Sequence, residues 1–201
     1  MKKYLLFLLM LTACLANSSF AQEKKMTKAQ REAAWRAERM KKKAAEKALE
    51  QSEDSVYFVQ AVEAVRNGSW ALEASNITFN NGVTRFVTGS TNYISVNNGQ
   101  GVVQTASDNT NVYSPNGLGG ITLEGNVGGE RMSRDNDGNF HYSYTIQGSN
   151  ISAIVYVTIT ANSNQASARI DPNFSGRTLT MNGYIYPYST AGVFQGTSSF
   201  Y

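Results

Sequence analysis

One stretch of the sequence decides the fold class, Phe140-His141-Tyr142-Ser143-Tyr144-Thr145-Ile146, because apolar and polar residues alternate in it without exception. Successive side chains of a β-strand lie on opposite faces, so the aromatic residues and Ile146 are predicted to share the buried face. His141, the single histidine of the chain, is predicted to lie on the other face. The alternation predicts a strand that is buried on one side.

Similar short apolar stretches, separated by Asn, Gly, Asp and Ser, continue on both sides of this strand from Trp70 to the end of the chain. Asn80-Asn81-Gly82 and Asn97-Asn98-Gly99 have the composition of hairpin turns, as does the segment 135–138. We predict about nine strands: 70–79, 83–87, 93–96, 102–105, 121–132, 140–146, 151–160, 166–170 and 178–186.

Short local connections between so many strands predict an antiparallel meander, and a sheet of this size must curl or close to protect its edges. The predicted fold is therefore mainly β, a lipocalin-like barrel or curled sheet that follows a charged N-terminal α-helix. Barrels of this size either fill their interior with side chains or hold one small ligand.

The first residues have the pattern of a secretion signal. Lys2 and Lys3 precede an apolar run over residues 4–11 that is too short to span a bilayer. Small residues end the segment before a cleavage site between Ala21 and Gln22. The sequence thus predicts a signal peptide over residues 1–21 and export to the periplasm or cell envelope.

A second cleavage site competes with the first. Leu11-Thr12-Ala13-Cys14 resembles the lipobox of bacterial lipoproteins, so lipidation of Cys14 would anchor the protein in the outer membrane. Cleavage after Ala21 would discard Cys14 and leave the protein without a lipid anchor. Because Cys14 is the single cysteine, neither alternative permits an internal disulfide or a cysteine metal site.

A charged helical segment is predicted over residues 22–54, ahead of a β domain over residues 55–201. Thr27-Lys28-Ala29-Gln30 is a capping-box pattern, and strong helix formers continue from Lys28 to about Gln51, with small apolar residues at coiled-coil spacing. Residues 52–55 form a second plausible cap before a short amphipathic helix. Whether the two helices are continuous stays open.

Charge argues against nucleic-acid binding. The chain has 18 Lys and Arg against 15 Asp and Glu, and loss of Lys2 and Lys3 with the signal leaves 16 against 15, which is close to neutral.

A glycine-rich segment before residue 121 is the most conspicuous loop. It lacks the Gly-Lys-Ser/Thr ending of a phosphate-binding loop and precedes a strand instead of a helix. Two interpretations remain, an ordered turn and a functional loop at the barrel rim. The residues concerned are Pro115, Asn116, Gly117, Leu118, Gly119 and Gly120.

Other candidate sites are weaker. Asp135-Asn136-Asp137-Gly138 resembles a calcium loop but lacks its acidic first and twelfth residues, so a hairpin turn explains it. His141 has no second histidine as a metal or acid–base partner, and the sequence does not bring two acids together as a glycosidase pair. We therefore predict no catalytic residue, metal or cofactor, and no enzymatic activity.

A resemblance rests on three segments: 114–125, 171–179 and 183–187, together with the ending Val193-Phe194-Gln195-Gly196. Over roughly residues 55–201 the chain resembles an uncharacterised family of secreted Bacteroidota proteins, domain of unknown function 4251. The resemblance implies export, an envelope location and a β fold, but no substrate. In such bacteria Asp54-Ser55-Val56 matches an O-glycosylation signal at Ser55.

The leading functional hypothesis is a non-enzymatic module that binds a small apolar or amphipathic ligand, since tyrosines could supply polar groups in an otherwise apolar pocket. The alternative is a structural or interaction protein, tethered through its N-terminal helix or through a lipidated Cys14. Any protein partner is left unidentified by the sequence.

Overall fold

The structure is a computed structural model, and it describes residues 27–107, 116–149, 152–173 and 176–197. The predicted signal segment, its cleavage site at Ala21 and Gln22, and Cys14 lie outside the described residues.

Helix α1 spans Lys28–Arg66. It begins where the capping box predicts. The backbone amide of Gln30 donates to Thr27 Oγ1 at 3.3 Å, and the backbone amide of Thr27 donates to Gln30 Oε1 at 2.9 Å. In the described part of the chain, no helix combines the length and the apolar character that a bilayer crossing requires.

The second cap predicted at residues 52–55 is wrong, because α1 runs through this segment without interruption. The hydroxyls of Ser52 and Ser55 donate to the carbonyls of Leu49 and Gln51, at 2.7 and 3.0 Å, and are therefore satisfied inside the helix.

The chain divides into two compact units between Lys47 and Ala48.

The carboxy-terminal part of α1 contributes to the core of the second unit. Phe58 and Val65 are buried with the sheet residues. The guanidinium of Arg134 lies 5.1 Å from the centre of the Phe58 ring, which places a cation over this aromatic face. Gly68 then adopts a positive φ of 63°, which ends the helix and starts the first strand.

Nine strands follow, within a few residues of the predicted bounds. They are β1 (Ser69–Phe79), β2 (Thr84–Phe86), β3 (Tyr93–Asn97), β4 (Gln100–Gln104), β5 (Thr122–Arg134), β6 (Phe140–Gln147), β7 (Ser152–Ile159), β8 (Gln165–Pro172) and β9 (Leu179–Pro187).

The sheet closes into a barrel. Its order is β1-β3-β4-β5-β6-β7-β8-β9, and β9 pairs back onto β1 over residues 70–79, so eight antiparallel strands form a closed ring. Strand β2 is a ninth strand that pairs with the far end of β1. The predicted antiparallel β-barrel is confirmed, with β2 outside the ring.

Large side chains occupy the barrel interior. The predicted inward face of β6 is confirmed, and the rings of Tyr142 and Tyr144 stack at 4.9 Å while Trp70 meets both edge-on. The other large apolar side chains that are less than 2% exposed in this core are Leu72, Ile94, Ile146, Ile159, Met181 and Ile185.

Strands β3 and β4 are buried on both faces. Ile94 and Val103 belong to the interior cluster, whereas Tyr93 and Gln104, one residue away on each strand, point outward yet are also buried. The segment 191–197 lies over this outer face, where the Phe194 carbonyl and the Gly196 amide bond to Gln104. The segment 191–197 therefore covers the outer face of β4 at Gln104.

Candidate ligand-binding groove

A surface groove lies where β1 changes partner. Residues 69–73 of β1 pair with β3, and residues 76–78 pair with β2 instead, after an irregularity between Ala74 and Asn76. Beyond this point β2 replaces β3 beside β1, while the other edge of β1 stays paired with β9; the paired segments of β1 and β2 are called the β1–β2 ribbon below. The groove, about 660 Å³ in volume, lies between this ribbon and the loops that follow β4 and precede β5.

The ribbon supplies an apolar wall with one cation. Arg85 lies directly opposite Ile77 in the register of β1 and β2, so both side chains lie on the same face of the ribbon. Phe79, Val83 and Val87 line the groove with them. Phe79 is 40% exposed and Val83 46%, so apolar surface is available to a ligand.

The opposite wall is polar and consists mostly of backbone and small side chains. It is formed by residues 105–107 and by Gly119 and Gly120, with Asn92 and Thr88 beside them. Two residues of the predicted rim loop therefore line the groove. Pro115, at the start of that predicted loop, lies outside the described residues.

Asn116 fixes the shape of this loop. Its Oδ1 accepts from the amides of Leu118 and Gly120, at 2.9 and 3.1 Å, and its Nδ2 donates to the Thr105 carbonyl at 2.9 Å. Gly117 and Gly119 have φ values of 72° and 79°, which glycine adopts without strain. Residues 116–120 thus form an ordered turn, and a functional role of this loop stays a prediction.

Gln104 connects Thr122, at the start of β5, to the segment 191–197. Its Nε2 donates to the carbonyls of Thr91 and Phe194, at 3.0 and 2.8 Å, and its Oε1 accepts from the Gly196 amide at 2.7 Å and the Thr122 hydroxyl at 2.9 Å. All four hydrogen-bonding positions of this buried amide are used. The polar wall of the groove is held in place by a fully satisfied network.

Arg85 dominates the electrostatics of the described part of the groove. Among the described residues of the lining, it is the single titratable one. Within the described ranges, no carboxylate lies at ion-pairing distance from it. An apolar wall with one uncompensated guanidinium can hold an apolar chain and bind an anionic or strongly polar group at its end.

The tyrosines of β6 do not line this groove. Tyr142 and Tyr144 lie in the barrel interior, where burial raises the pKa of both hydroxyls. The Tyr142 hydroxyl donates to the carboxylate of Glu130, which raises its pKa further. Within the described ranges, Trp70 Nε1 and Tyr144 Oη are buried and have no hydrogen-bond partner. Tyr142 and Tyr144 therefore fill the core, and the suggestion that tyrosines supply polar groups to a pocket is wrong for these two residues.

His141 lies on the outer face of β6, as predicted. Its Nδ1 lies 3.0 Å from Thr158 Oγ1 and its Nε2 lies 3.1 Å from Asp135 Oδ2. The pKa of the Asp135 carboxyl is lowered to about 2. The main cause is the hydrogen bond from the Asn139 side chain, and the bond with His141 lowers it further. These contacts connect the β5–β6 hairpin turn to β7. Among the described residues, no three His, Cys, Asp or Glu side chains form a group that could hold a metal ion.

Ser55, the predicted O-glycosylation site, lies on α1. Its side chain is exposed, and its hydroxyl donates to the Gln51 carbonyl at 3.0 Å. Modification of Ser55 stays a prediction.

The groove itself is a feature that the sequence analysis missed. The signal in the sequence was a group of apolar residues, Phe79, Val83 and Phe86, around a hairpin turn and one arginine. What could not be read was the change of partner along β1, because register in the barrel depends on contacts between distant strands.

Comparison with known proteins identifies a family. A family model described as "Domain of unknown function (DUF4251)" matches residues 52–185. Among solved structures, the crystal structure of a DUF4251 family protein from Bacteroides eggerthii DSM 20697 is 41% identical, with a TM-score of 0.62; the match covers 72% of this chain and 96% of that chain. No curated protein matches the chain. The resemblance stated above is confirmed.

Proposed function

The chain belongs to the DUF4251 family, and we propose that its barrel is a non-enzymatic module of the cell envelope that binds a small amphipathic ligand with an apolar chain and an anionic end. The observation that carries the proposal is the groove between the β1–β2 ribbon and the loops around β5, with Arg85 among apolar side chains. The barrel would be lipocalin-like in binding a ligand at one of its ends, although side chains fill its interior.

The groove has the size and lining that this role requires. Its volume of about 660 Å³ lies within the range of small-molecule sites. Each methylene removed from water on the apolar wall contributes about 0.8 kcal/mol. Shortening a bound carboxylate by two methylenes is therefore expected to weaken binding about tenfold. The described residues of the lining include one titratable group, Arg85, which supports binding over acid–base catalysis.

A matched pair of ligands tests the assignment. Decanoate and decanol share the apolar chain and differ in the anionic end, and octanoate tests chain length. We expect isothermal titration calorimetry to show decanoate as the tightest of the three. In a ¹H–¹⁵N spectrum, decanoate should shift the amides of Ile77, residues 83–88 and residues 105–107.

A pair of variants tests the cation. Arg85→Gln removes the charge and should weaken decanoate binding roughly ten- to hundredfold, since a hydrogen bond to a charged group contributes about 1.5–3 kcal/mol. Decanol binding should change little. Arg131→Gln is the control, because Arg131 is also an exposed strand arginine but does not line the groove. Equal decanoate affinities for both variants, or shifts confined to other surfaces, would contradict the proposal.

A second candidate function rests on the amino-terminal part of α1. Residues 28–53 are exposed throughout, including Trp35 at 57% and Met40 at 68%. Such a helix could attach the barrel to an envelope partner. Deletion of residues 28–47 should then change localisation and co-purifying proteins, whereas unchanged fractions would reject this candidate.

Export and anchoring are tested by mass. Native mass spectrometry of the mature protein from its own envelope fraction should give a chain that begins at Gln22 if cleavage follows Ala21. A diacylated or triacylated mass that begins at Cys14 would establish lipidation instead, and an intact amino terminus would reject export through a cleaved signal.

A further inference from the structure

A second groove lies on the outer face of the barrel, across β8, β9 and β1. Its volume is about 350 Å³, and the described residues of its lining carry amide and hydroxyl groups, one tyrosine and no charged side chain. It is separate from the groove of the β1–β2 ribbon, because the two share no lining residue.

Strand register places a row of polar side chains in this groove. Ser167 of β8 lies opposite Asn182 of β9, and Asn182 lies opposite Asn76 of β1. Asn182 Nδ2 donates to Asn76 Oδ1 at 2.9 Å. That bond orients both amides and leaves Asn182 Oδ1 as an acceptor and the Asn76 Nδ2 hydrogens as donors for a ligand.

An irregularity of the sheet produces the concavity. The register of β1 and β9 shifts between Ala74 and Asn76, which leaves Ser75 without a register partner in β9, although its carbonyl accepts from the Val87 amide at 3.0 Å. Gly183 faces this point, and a Cβ there would overlap the backbone of Glu73. The glycine thus permits a close approach of β9 to β1 at the bottom of the groove.

One aromatic ring completes the lining. Tyr184 lies opposite Gln165 in the register of β9 and β8, and its side chain is 39% exposed. An exposed ring offers an apolar, electron-rich face beside the polar row. Gln165 is exposed and supplies a third amide at the same level of the sheet.

We propose that this outer groove binds a neutral carbohydrate. A sugar ring presents an apolar face of C–H groups, which suits a tyrosine ring, and adjacent hydroxyls that both donate and accept, which suit oriented amides. The absence of charge from the lining argues against phosphorylated or acidic ligands, because such ligands would lose hydration without gaining a counter-charge. The inference does not depend on the function proposed for the other groove.

Three neutral trisaccharides serve as probes: cellotriose, maltotriose and triacetylchitotriose. Titration into the ¹⁵N-labelled chain, followed by ¹H–¹⁵N spectra, should show binding of at least one with a dissociation constant on the order of 1 mM. The shifted amides should be those of residues 75–76, 165–167 and 182–184. Saturation-transfer difference spectra should show contact with the sugar C–H groups.

Variants locate the binding. Gln165→Ala and Tyr184→Ala should each weaken binding about tenfold, and both positions are exposed, so the fold should persist. Tyr156→Ala is the control, since Tyr156 is another exposed strand tyrosine, at 46%, outside the lining.

Three results would overturn the inference. The first is that no probe shifts any amide signal at concentrations roughly tenfold above the expected dissociation constant of about 1 mM. The others are amide shifts at the groove of the β1–β2 ribbon instead, or an equal loss of affinity in the Tyr184→Ala variant and in its control.

Discussion

Replacement of Gln104 by alanine would remove four hydrogen bonds at once. The amide joins the carbonyl of Thr91, the hydroxyl of Thr122 and two backbone groups of the terminal segment, at 2.7–3.0 Å. A net hydrogen bond contributes about 0.5–1.5 kcal/mol, so the four together give roughly 2–6 kcal/mol.

The lower part of that range is expected. Phe194 and Gly196 belong to the partly exposed segment 191–197, and their backbone groups can bond to water once the segment detaches. The Thr91 carbonyl and the Thr122 hydroxyl would lose their bonds to Gln104 while they remain within the protein. We therefore expect Gln104→Ala to lower the free energy of unfolding by about 2–4 kcal/mol, equivalent to a fall in Tm of about 5–15 °C.

Urea unfolding followed by circular dichroism measures the change, and chymotrypsin cleavage after Phe194 reports detachment of the segment. Gln195→Ala is the matched control, because the Gln195 Nε2 makes one exposed bond, to Glu124 at 3.0 Å. Its effect should stay within about 0.5 kcal/mol. A Gln104→Ala protein as stable and as protease-resistant as this control would refute the reasoning that the buried amide holds the end of the chain.

Three further predictions concern the barrel and its turn. Tyr144→Phe should leave the urea midpoint unchanged or raise it, since its buried hydroxyl has no partner among the described residues. Tyr142→Phe should lower the free energy of unfolding by about 1.5–3 kcal/mol, because its hydroxyl donates to the Glu130 carboxylate; the reverse order would contradict the assignment. Gly183→Ala should prevent or severely weaken folding, visible as loss of the cooperative thermal transition, because its Cβ would overlap the facing strand. The hydrogen bond from Asn139 lowers the pKa of Asp135 from its ordinary value of 3.8 to about 2, so the carboxylate stabilises the fold above about pH 4 and ceases to do so as the pH falls through 2. Asp135→Asn should therefore lower the free energy of unfolding more at pH 5 than at pH 2 in urea titrations. An equal loss at both pH values would reject this linkage.

The barrel could be predicted closely from local patterns. The alternation in 140–146 assigned the inward face of β6, and Asn-Gly turns such as 97–99 located the hairpins, because both signals depend on neighbours in sequence. The capping box at Thr27 likewise located the start of α1. The interruption expected at 52–55 failed, since serine hydroxyls can also bond within a helix.

The sequence by itself thus determined the β class, the number of strands, the turns and the inward-facing residues, because periodicity and turn chemistry are local. The turn at 80–82 indicated that β1 pairs with β2. Only the tertiary structure decided that β1 also pairs with β3 and with β9, and so where both grooves lie. It also decided that Gln104 bonds to Phe194, 90 residues away in sequence. Such contacts depend on barrel closure, whose register is set by many distant side chains together.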